Sequence, residues 1–131
     1  MGRYQNYGHA LRSLKRALAE SVILVCSPDA PGEARRFARR VSAFDVDLES
    51  IVLLVSELVT NAVRHGCGEV GLTVRHLGGH ARIEVSDGSR LVPLMGPPNI
   101  DGGRGLHIVA ELAARWGVDR HIQGKTVWCE I

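Results

Sequence analysis

Residues 47–66 of the sequence read DLESIVLLVSELVTNAVRHG, the longest regular pattern in the chain. Asp45 or Asp47 is available as an N-cap, and Gly66 stands where helices commonly end. The apolar residues recur with the 3.6-residue period of an amphipathic helix; they are Leu48, Ile51, Val52, Val55, Leu58, Val59 and Ala62. The pattern therefore predicts a long helix with one face against a hydrophobic core.

Three polar residues of this helix, Glu57, Asn61 and His65, are spaced four residues apart. Helical geometry puts Glu57 and Asn61 on the side opposite the apolar stripe, where Leu53 and Leu54 leave the surface half covered. The Asn61 amide oxygen suits Mg²⁺, and Glu57 is positioned to orient or deprotonate a nucleophile one turn away. A solvated helix face is the alternative, and the spacing alone does not decide between them.

The segments around this helix predict a small α+β domain. Apolar periodicity and turn residues indicate a strand at 21–27, a helix beginning near Pro31, strands at 69–76 and 81–87, a helix at 106–115, and strands at 116–122 and 126–131. This order predicts a two-layer sandwich with helices on one face of a mainly antiparallel mixed sheet. Residues 88–103 contain three prolines and four glycines, and we expect them to form a lid.

A second polar position is Asp87, at the end of the strand 81–87. Strand alternation places it on the same side as Ile83 and Val85, which are core residues. A buried carboxylate needs a partner. Asp87 therefore either caps the turn at Gly88 and Ser89 or accepts a hydrogen bond from a ligand, for example from an exocyclic amine.

A third feature is the glycine-rich segment DGGRGL at 101–106, which leads directly into a predicted helix. Glycines allow close backbone approach, and the N–H groups at a helix start attract anions, so the segment is a candidate phosphate site. The triplet Gly124-Lys125-Thr126 is not a Walker A motif, because Asp119 stands where that motif requires glycine and a strand follows instead of a helix.

Composition favours one soluble globular domain. The length of 131 residues is sufficient for one hydrophobic core. The composition, 45% hydrophobic and 23% charged, is that of an ordinary globular protein. We expect an amino-terminal arm over 1–20 and the domain over 21–131. No apolar run reaches the roughly 18 to 20 residues that cross a bilayer, and the amino terminus lacks a signal-peptide core, so a cytoplasmic location is expected. Cys26, Cys67 and Cys129 lack metal or disulfide spacing and are interpreted as reduced thiols.

The net charge of +2 does not by itself indicate nucleic-acid binding. Four arginines do form a basic stripe on the helix that begins near Pro31; they are Arg35, Arg36, Arg39 and Arg40. A solvated helix face is favoured, with a partner-binding or phosphate-binding surface as the alternative. Direct nucleic-acid binding ranks lower, because few aromatic side chains lie nearby to stack on bases.

In their order and spacing, the three polar features resemble the N, G1 and G2 boxes of the Bergerat ATPases, the superfamily of histidine kinases and type II topoisomerases. The likeness covers about residues 20–131. The segments SELVTNAVRH (56–65), GRGL (103–106) and GKTVW (124–128) most resemble the anti-sigma-factor serine/threonine kinases and related actinobacterial regulators. Each segment is weak or moderate evidence alone, whereas their ordered combination is strong.

The resemblance implies ATP and Mg²⁺ as cofactors. By it, Asn61 would ligate the metal, Glu57 would be the general base, Asp87 would bind the adenine amino group and Thr126 would lie near the adenine. The residues that would wrap the phosphates are Gly103, Arg104, Gly105 and Leu106.

The implied reaction is transfer of the γ-phosphoryl group to a serine or threonine of an anti-sigma-factor antagonist. A sigma factor would be the second partner, and homodimers are suggested. One departure is that many relatives carry Asp-x-Gly, whereas here Asp87 is followed by Gly88 and Ser89. The alternative function is a non-catalytic or weakly nucleotide-dependent partner-binding module of the same fold.

Overall fold

The computed structural model describes residues 19–42, 47–65, 68–89 and 104–131. In these residues the elements follow the predicted order. They are β1 (Ala19–Val25), α1 (Ala30–Val41), α2 (Leu48–His65), β2 (Glu69–Leu77), β3 (His80–Asp87), α3 (Arg104–Leu112), β4 (Arg115–His121) and β5 (Gly124–Glu130). The predicted lid from residue 90 onward, and the arm apart from its last two residues, lie outside the described ranges. Ala19 and Glu20, expected in the arm, begin β1.

The five strands of the described chain form one sheet in the order β1-β2-β3-β5-β4. Every neighbouring pair in it is antiparallel, which confirms the α+β fold class; the parallel pair that a mixed sheet requires is not found among these strands. β3 pairs with β5 rather than with β4, the next strand along the chain. This crossover brings the end of β3 beside the start of β5.

The hydrophobic core lies between the sheet and the helices. α1 and α2 pack on each other, and α2 also packs on β3 and α3. Alternation along β2 and β3 turns Leu72, Val74, Ile83 and Val85 toward the helices, and all four are buried. Burying a side chain of this size stabilises the fold by about 1.5–3 kcal/mol.

Local interactions fix the start of α2 at Asp47, one of the two N-caps that the sequence predicted. Asp47 caps the helix: its Oδ1 accepts a hydrogen bond from the Ser50 amide at 3.3 Å, and its Oδ2 accepts one from the Ser50 hydroxyl at 2.7 Å. These hydrogen bonds lower the pKa of Asp47 from its ordinary value. The helix ends at His65, while Asp45 and Gly66 lie outside the described residues.

Helix α3 is shorter than predicted, because it ends at Leu112 and Arg115 already belongs to β4. Alanines favour helix, and Ala113 still donates its amide to Val109. Ala114, however, donates its amide to the Glu130 carbonyl at 2.8 Å, so pairing with β5 overrides the helical preference. The predicted strand at 21–27 is likewise shifted to Ala19–Val25, since Val25 is the last residue opposite β2.

Among the described residues, no helix combines the length and the apolar character needed to cross a bilayer.

Candidate functional site

The carboxyl-terminal ends of α2 and β3 lie at the same edge of the sheet. α2 ends at His65, and β2 begins four residues later at Glu69. Since Gly71 of β2 is paired with Ser86, the start of β2 lies beside the end of β3. The topology therefore places the second half of α2, which carries Glu57 and Asn61, near the edge where Asp87 lies.

Asn61 is buried, with only 7% of its surface exposed. It follows Leu54 by seven residues and Leu58 by three, so it shares the face of these fully covered leucines rather than lying opposite the apolar stripe as expected. Its Nδ2 is buried without a hydrogen-bond partner among the described residues. Native proteins rarely leave such a group unsatisfied, so this amide is a candidate ligand-binding group.

Glu57, one helical turn before Asn61, is half-buried. The boundary between core and solvent runs past it, because Leu54 is fully buried and Leu53 is 41% exposed. The carboxylate is thus accessible while still lying next to the buried Asn61. The sequence predicted a half-covered surface here, and the structure confirms it for Glu57.

Asp87 is buried on the helix side of the sheet, as alternation predicted. Its Oδ1 accepts the Ser89 amide at 2.7 Å, so the turn-capping alternative is confirmed. The same oxygen accepts a hydrogen bond from Nζ of Lys125 at 2.9 Å. The two side chains are only 1% and 2% exposed, and together they form a buried ion pair.

No role was predicted from the sequence for Lys125, although it lies in both the Gly124-Lys125-Thr126 triplet and the GKTVW segment (124–128). Lys125 is directly opposite Asp87 in the β3–β5 ladder. A signal was present, because Lys125 alternates with Val127 and Cys129, and all three are buried. Strand alternation alone therefore places a lysine on the core side.

The preceding residue, Gly124, is required by the same contact. Its φ of 151° is rarely adopted by residues with a side chain. A Cβ at this position would overlap the carbonyl oxygen of Asp87. The turn between β4 and β5 thus lies directly against the backbone of Asp87.

Thr126 is not brought together with Asp87. It is paired with Ser86, one residue earlier in β3, so its side chain lies on the outer face of the sheet, away from the helices. There its Oγ1 is 3.2 Å from Nε2 of His121. The expectation that Thr126 lies near an adenine held by Asp87 therefore disagrees with this geometry, and Lys125 occupies the corresponding inner position.

Of the predicted phosphate segment, Gly103 lies outside the described residues, and α3 begins at Arg104. Leu106 is buried, and α3 packs against α2. The first amides of a helix have no partner within it, so this end of α3 is suited to an anion. The helix start that the sequence predicted at Leu106 thus lies two residues earlier, and the segment does enter a helix that packs on α2.

The basic stripe is partly used within the fold. Arg35 donates a hydrogen bond to the Ser56 hydroxyl at 2.8 Å, and Arg39 is paired with Glu49 at 3.0 Å. Both contacts connect α1 to α2. Ser56 immediately precedes Glu57, so α1 also helps to fix this part of α2.

No group of three or more His, Cys, Asp or Glu side chains in the described ranges is arranged to hold a metal ion. Cys26 and Cys129 form no disulfide, in agreement with reduced thiols. Burial raises the pKa of the Cys129 thiol to about 12. Cys67 lies outside the described residues.

Known proteins resemble this chain in sequence. A family model described as a histidine kinase-like ATPase domain matches residues 28–131. An uncharacterized protein of Streptomyces coelicolor, SCO4941, is 34% identical over 83 residues, which are 58% of this chain and 79% of that protein.

A solved structure of the RsbU and RsbW domains of Rv1364c from Mycobacterium tuberculosis shares the fold, with a TM-score of 0.64 and 21% identity over 86% of this chain. The matched part is 31% of that longer chain. The histidine kinase domain of a blue-light activated kinase from Erythrobacter litoralis EL346 has a TM-score of 0.49 and 24% identity, covering 78% of this chain and 58% of that one.

Proposed function

Because this chain belongs to the histidine kinase-like ATPase domain family, we propose that it binds ATP with Mg²⁺ and phosphorylates a serine or threonine of a partner protein. The observation that carries the proposal is the buried Asn61 amide, whose nitrogen lacks a partner among the described residues. It lies one turn from the half-buried Glu57. A phosphate oxygen of a bound nucleotide would accept a hydrogen bond from this nitrogen, and the amide oxygen would be left to bind the metal ion.

The residues fit a magnesium ion. Mg²⁺ usually keeps several waters and takes one or two protein oxygens, so the single side-chain oxygen of Asn61 is sufficient. When bound, the ion would be held by Asn61 and would neutralise negative charge on the ATP phosphates. The first turn of α3, with Gly103 and Arg104 to Leu106, would hold the same phosphates through its N–H groups.

Glu57 is the proposed general base. Its carboxylate would accept the proton of the attacking hydroxyl as the oxygen bonds to the γ-phosphorus and ADP leaves. Accessibility to a protein substrate requires a carboxylate that is not fully covered, and Glu57 is half-buried.

Asp87 would accept a hydrogen bond from the adenine amino group. We leave Thr126 out of the adenine site, because its side chain is on the opposite face of the sheet.

The proposed partners are an anti-sigma-factor antagonist as phosphoryl acceptor and a sigma factor as the regulated protein, in the cytoplasm, with the kinase as a homodimer. The motifs at 56–65, 103–106 and 124–128 support this assignment. The Mycobacterium tuberculosis structure with the same fold includes an RsbW domain. Candidate partners to test are therefore antagonists and sigma factors.

The proposal is tested by incubating the purified chain and candidate antagonist domains with radiolabelled Mg-ATP. We expect the wild type to transfer phosphate, and Glu57→Gln to lose at least about a hundredfold of the rate, the usual contribution of a general base. Glu49→Gln is the matched control on the same helix, since Glu49 is exposed and its carboxylate is paired with Arg39. Equal rates in wild type and Glu57→Gln would contradict the role of Glu57.

A second candidate function, a non-catalytic partner-binding module, is favoured by one observation. Asp87, the proposed adenine ligand, already holds the ammonium of Lys125. In that case the chain would bind the antagonist or sigma factor tightly with no phosphate incorporation and with little response to ATP. The same incubation, combined with a pull-down assay, separates the two functions.

A further inference from the structure

We propose that Lys125 is a specificity-determining residue, because its ammonium occupies the hydrogen-bonding position on Asp87 that the exocyclic amine of a purine would use. The proposal rests on the proposed function, in which Asp87 recognises the base. It predicts that the 6-amino group of ATP contributes little to binding in the wild-type protein.

The geometry supports this competition. Oδ1 of Asp87 receives two donors, the Ser89 amide at 2.7 Å and Lys125 Nζ at 2.9 Å. Lys125 Nζ also lies 3.4 Å from the Ser89 carbonyl oxygen, so two acceptors hold it in place. Oδ1 is therefore occupied before any ligand arrives.

The position of Lys125 is firmly determined by the backbone. Lys125 faces Asp87 across an antiparallel ladder, in which opposite Cβ atoms are about 4.5–5.5 Å apart. Gly124 holds the start of β5 against the Asp87 carbonyl. Displacement of the ammonium by a ligand therefore has to come from rotation of the lysine side chain, not from movement of the strand.

Charge explains why this matters for binding. A carboxylate that is buried without a cation is poorly solvated and gains strongly from any donor that a ligand brings. Here Lys125 already neutralises the charge in a pair that is almost completely buried. An incoming amine must displace or share the ammonium, so its net contribution is small.

The test compares the binding of Mg-ATP with that of purine riboside triphosphate, which lacks the 6-amino group, by isothermal titration calorimetry. In the wild type we expect the two affinities to differ by less than about threefold. In Lys125→Met the buried carboxylate is left to the ligand, and ATP should bind about tenfold to a hundredfold more tightly than the purine analogue, the range for a hydrogen bond to a charged group. Arg75→Met, which removes a cation from the outer face of the sheet, should behave as the wild type.

Lys125→Gln provides a second variant, because it keeps an N–H donor for Asp87 without the charge and has a better prospect of folding. We expect an intermediate preference for ATP. The wild-type comparison requires no variant at all, and a strong preference for ATP there overturns the inference. So does weaker ATP binding in a folded Lys125 variant, which would mean that the lysine contacts the nucleotide.

These outcomes are distinguishable from failure of the proposed function. If the wild type binds ATP but the variants show no gain in amine discrimination, the role of Lys125 is wrong and the nucleotide site remains. If neither the wild type nor any variant binds ATP or the analogue, the nucleotide site itself is wrong, and the inference falls with it.

Discussion

The two faces of the sheet carry charged side chains in contrasting environments. On the inner face, Lys125 and Asp87 form one ion pair that is almost completely buried. On the outer face, a chain of ion pairs runs across β2, β3, β5 and β4; its members are Arg75, Glu84, Arg82, Glu130 and Arg115. These outer side chains are all partly or largely exposed, and Arg82 also stacks on Trp128 at 4.2 Å.

The contrast shows where the loss of one charged side chain destabilises this fold most. In an exposed pair, hydrogen bonds between the two side chains replace hydrogen bonds to water. Such a pair therefore contributes only about 0–1 kcal/mol to the free energy of unfolding. A buried pair depends on both partners, and removing one leaves an uncompensated charge. Adjacent residues of β5, such as Lys125 and Thr126, therefore differ greatly in their importance, although they are neighbours in sequence.

The largest expected effect comes from breaking the inner pair. Lys125→Met should lower the free energy of unfolding by about 3–5 kcal/mol, because Asp87 is left buried without a cation. Arg75→Met, which breaks a pair on the outer face, should cost about 0–1 kcal/mol. Urea denaturation of both variants measures the difference, and similar losses would remove the distinction between the two faces.

A second effect concerns the contact between Gly124 and Asp87. Gly124→Ala introduces a Cβ against the Asp87 carbonyl. A strained backbone alone lowers the free energy of unfolding by about 1–3 kcal/mol, and we expect a larger loss here because of the overlap. Gly79→Ala is the matched control, since Gly79 also has a positive φ, of 85°, but has open space around the new Cβ. Thermal unfolding should rank Gly124→Ala below Gly79→Ala, and the reverse order would contradict the close approach.

The smallest effect is expected on the outer face and depends on pH. Hydrogen bonds from Arg115 and Arg82 lower the pKa of Glu130 below its ordinary value of 4.5. Because the folded-state pKa is lowered, the ionised Glu130 stabilises the fold above pH 4.5, and this stabilisation is lost as the pH falls through the lowered pKa.

The free energy of unfolding of wild type and Glu130→Gln should thus differ most near pH 6 and converge in acid. High salt should reduce the difference at pH 6, since Arg115 is largely exposed and Glu130 partly exposed. A difference that stays constant between pH 6 and pH 3 would show that Glu130 acts through packing and not through its charge.

Much of the fold was predictable from local patterns. The period of residues 47–66 and the cap at Asp47 gave α2 nearly to the residue, because both signals are local. The prediction for the end of α3 was wrong, because Ala114 donates its amide to Glu130 of the sheet instead of continuing the helix, and this partner is distant in sequence. The crossover that pairs β3 with β5 is equally a property of the assembled sheet.

The candidate site was predictable in part. Alternation correctly turned Asp87 inward, and helical spacing brought Glu57 and Asn61 close together. The burial of Asn61 was missed, because helical spacing alone does not show what packs over that part of α2. The same alternation, applied to β5, predicts that Lys125 points inward and Thr126 outward, which the resemblance of the GKTVW segment to a family motif does not show.

The central claim is that Mg-ATP binds at the carboxyl-terminal ends of α2 and β3, where Asn61 and Asp87 lie. Calorimetric titration of wild type and Asn61→Ala with ATP, with and without Mg²⁺, tests this claim most directly. We predict one binding site per chain, dependence on Mg²⁺, and a loss of at least about tenfold in affinity for Asn61→Ala, as expected when a metal-ligating or buried hydrogen-bonding group is removed. Glu49→Gln should bind as the wild type does. Absence of binding heat at saturating nucleotide, or unchanged affinity in Asn61→Ala, would contradict the claim.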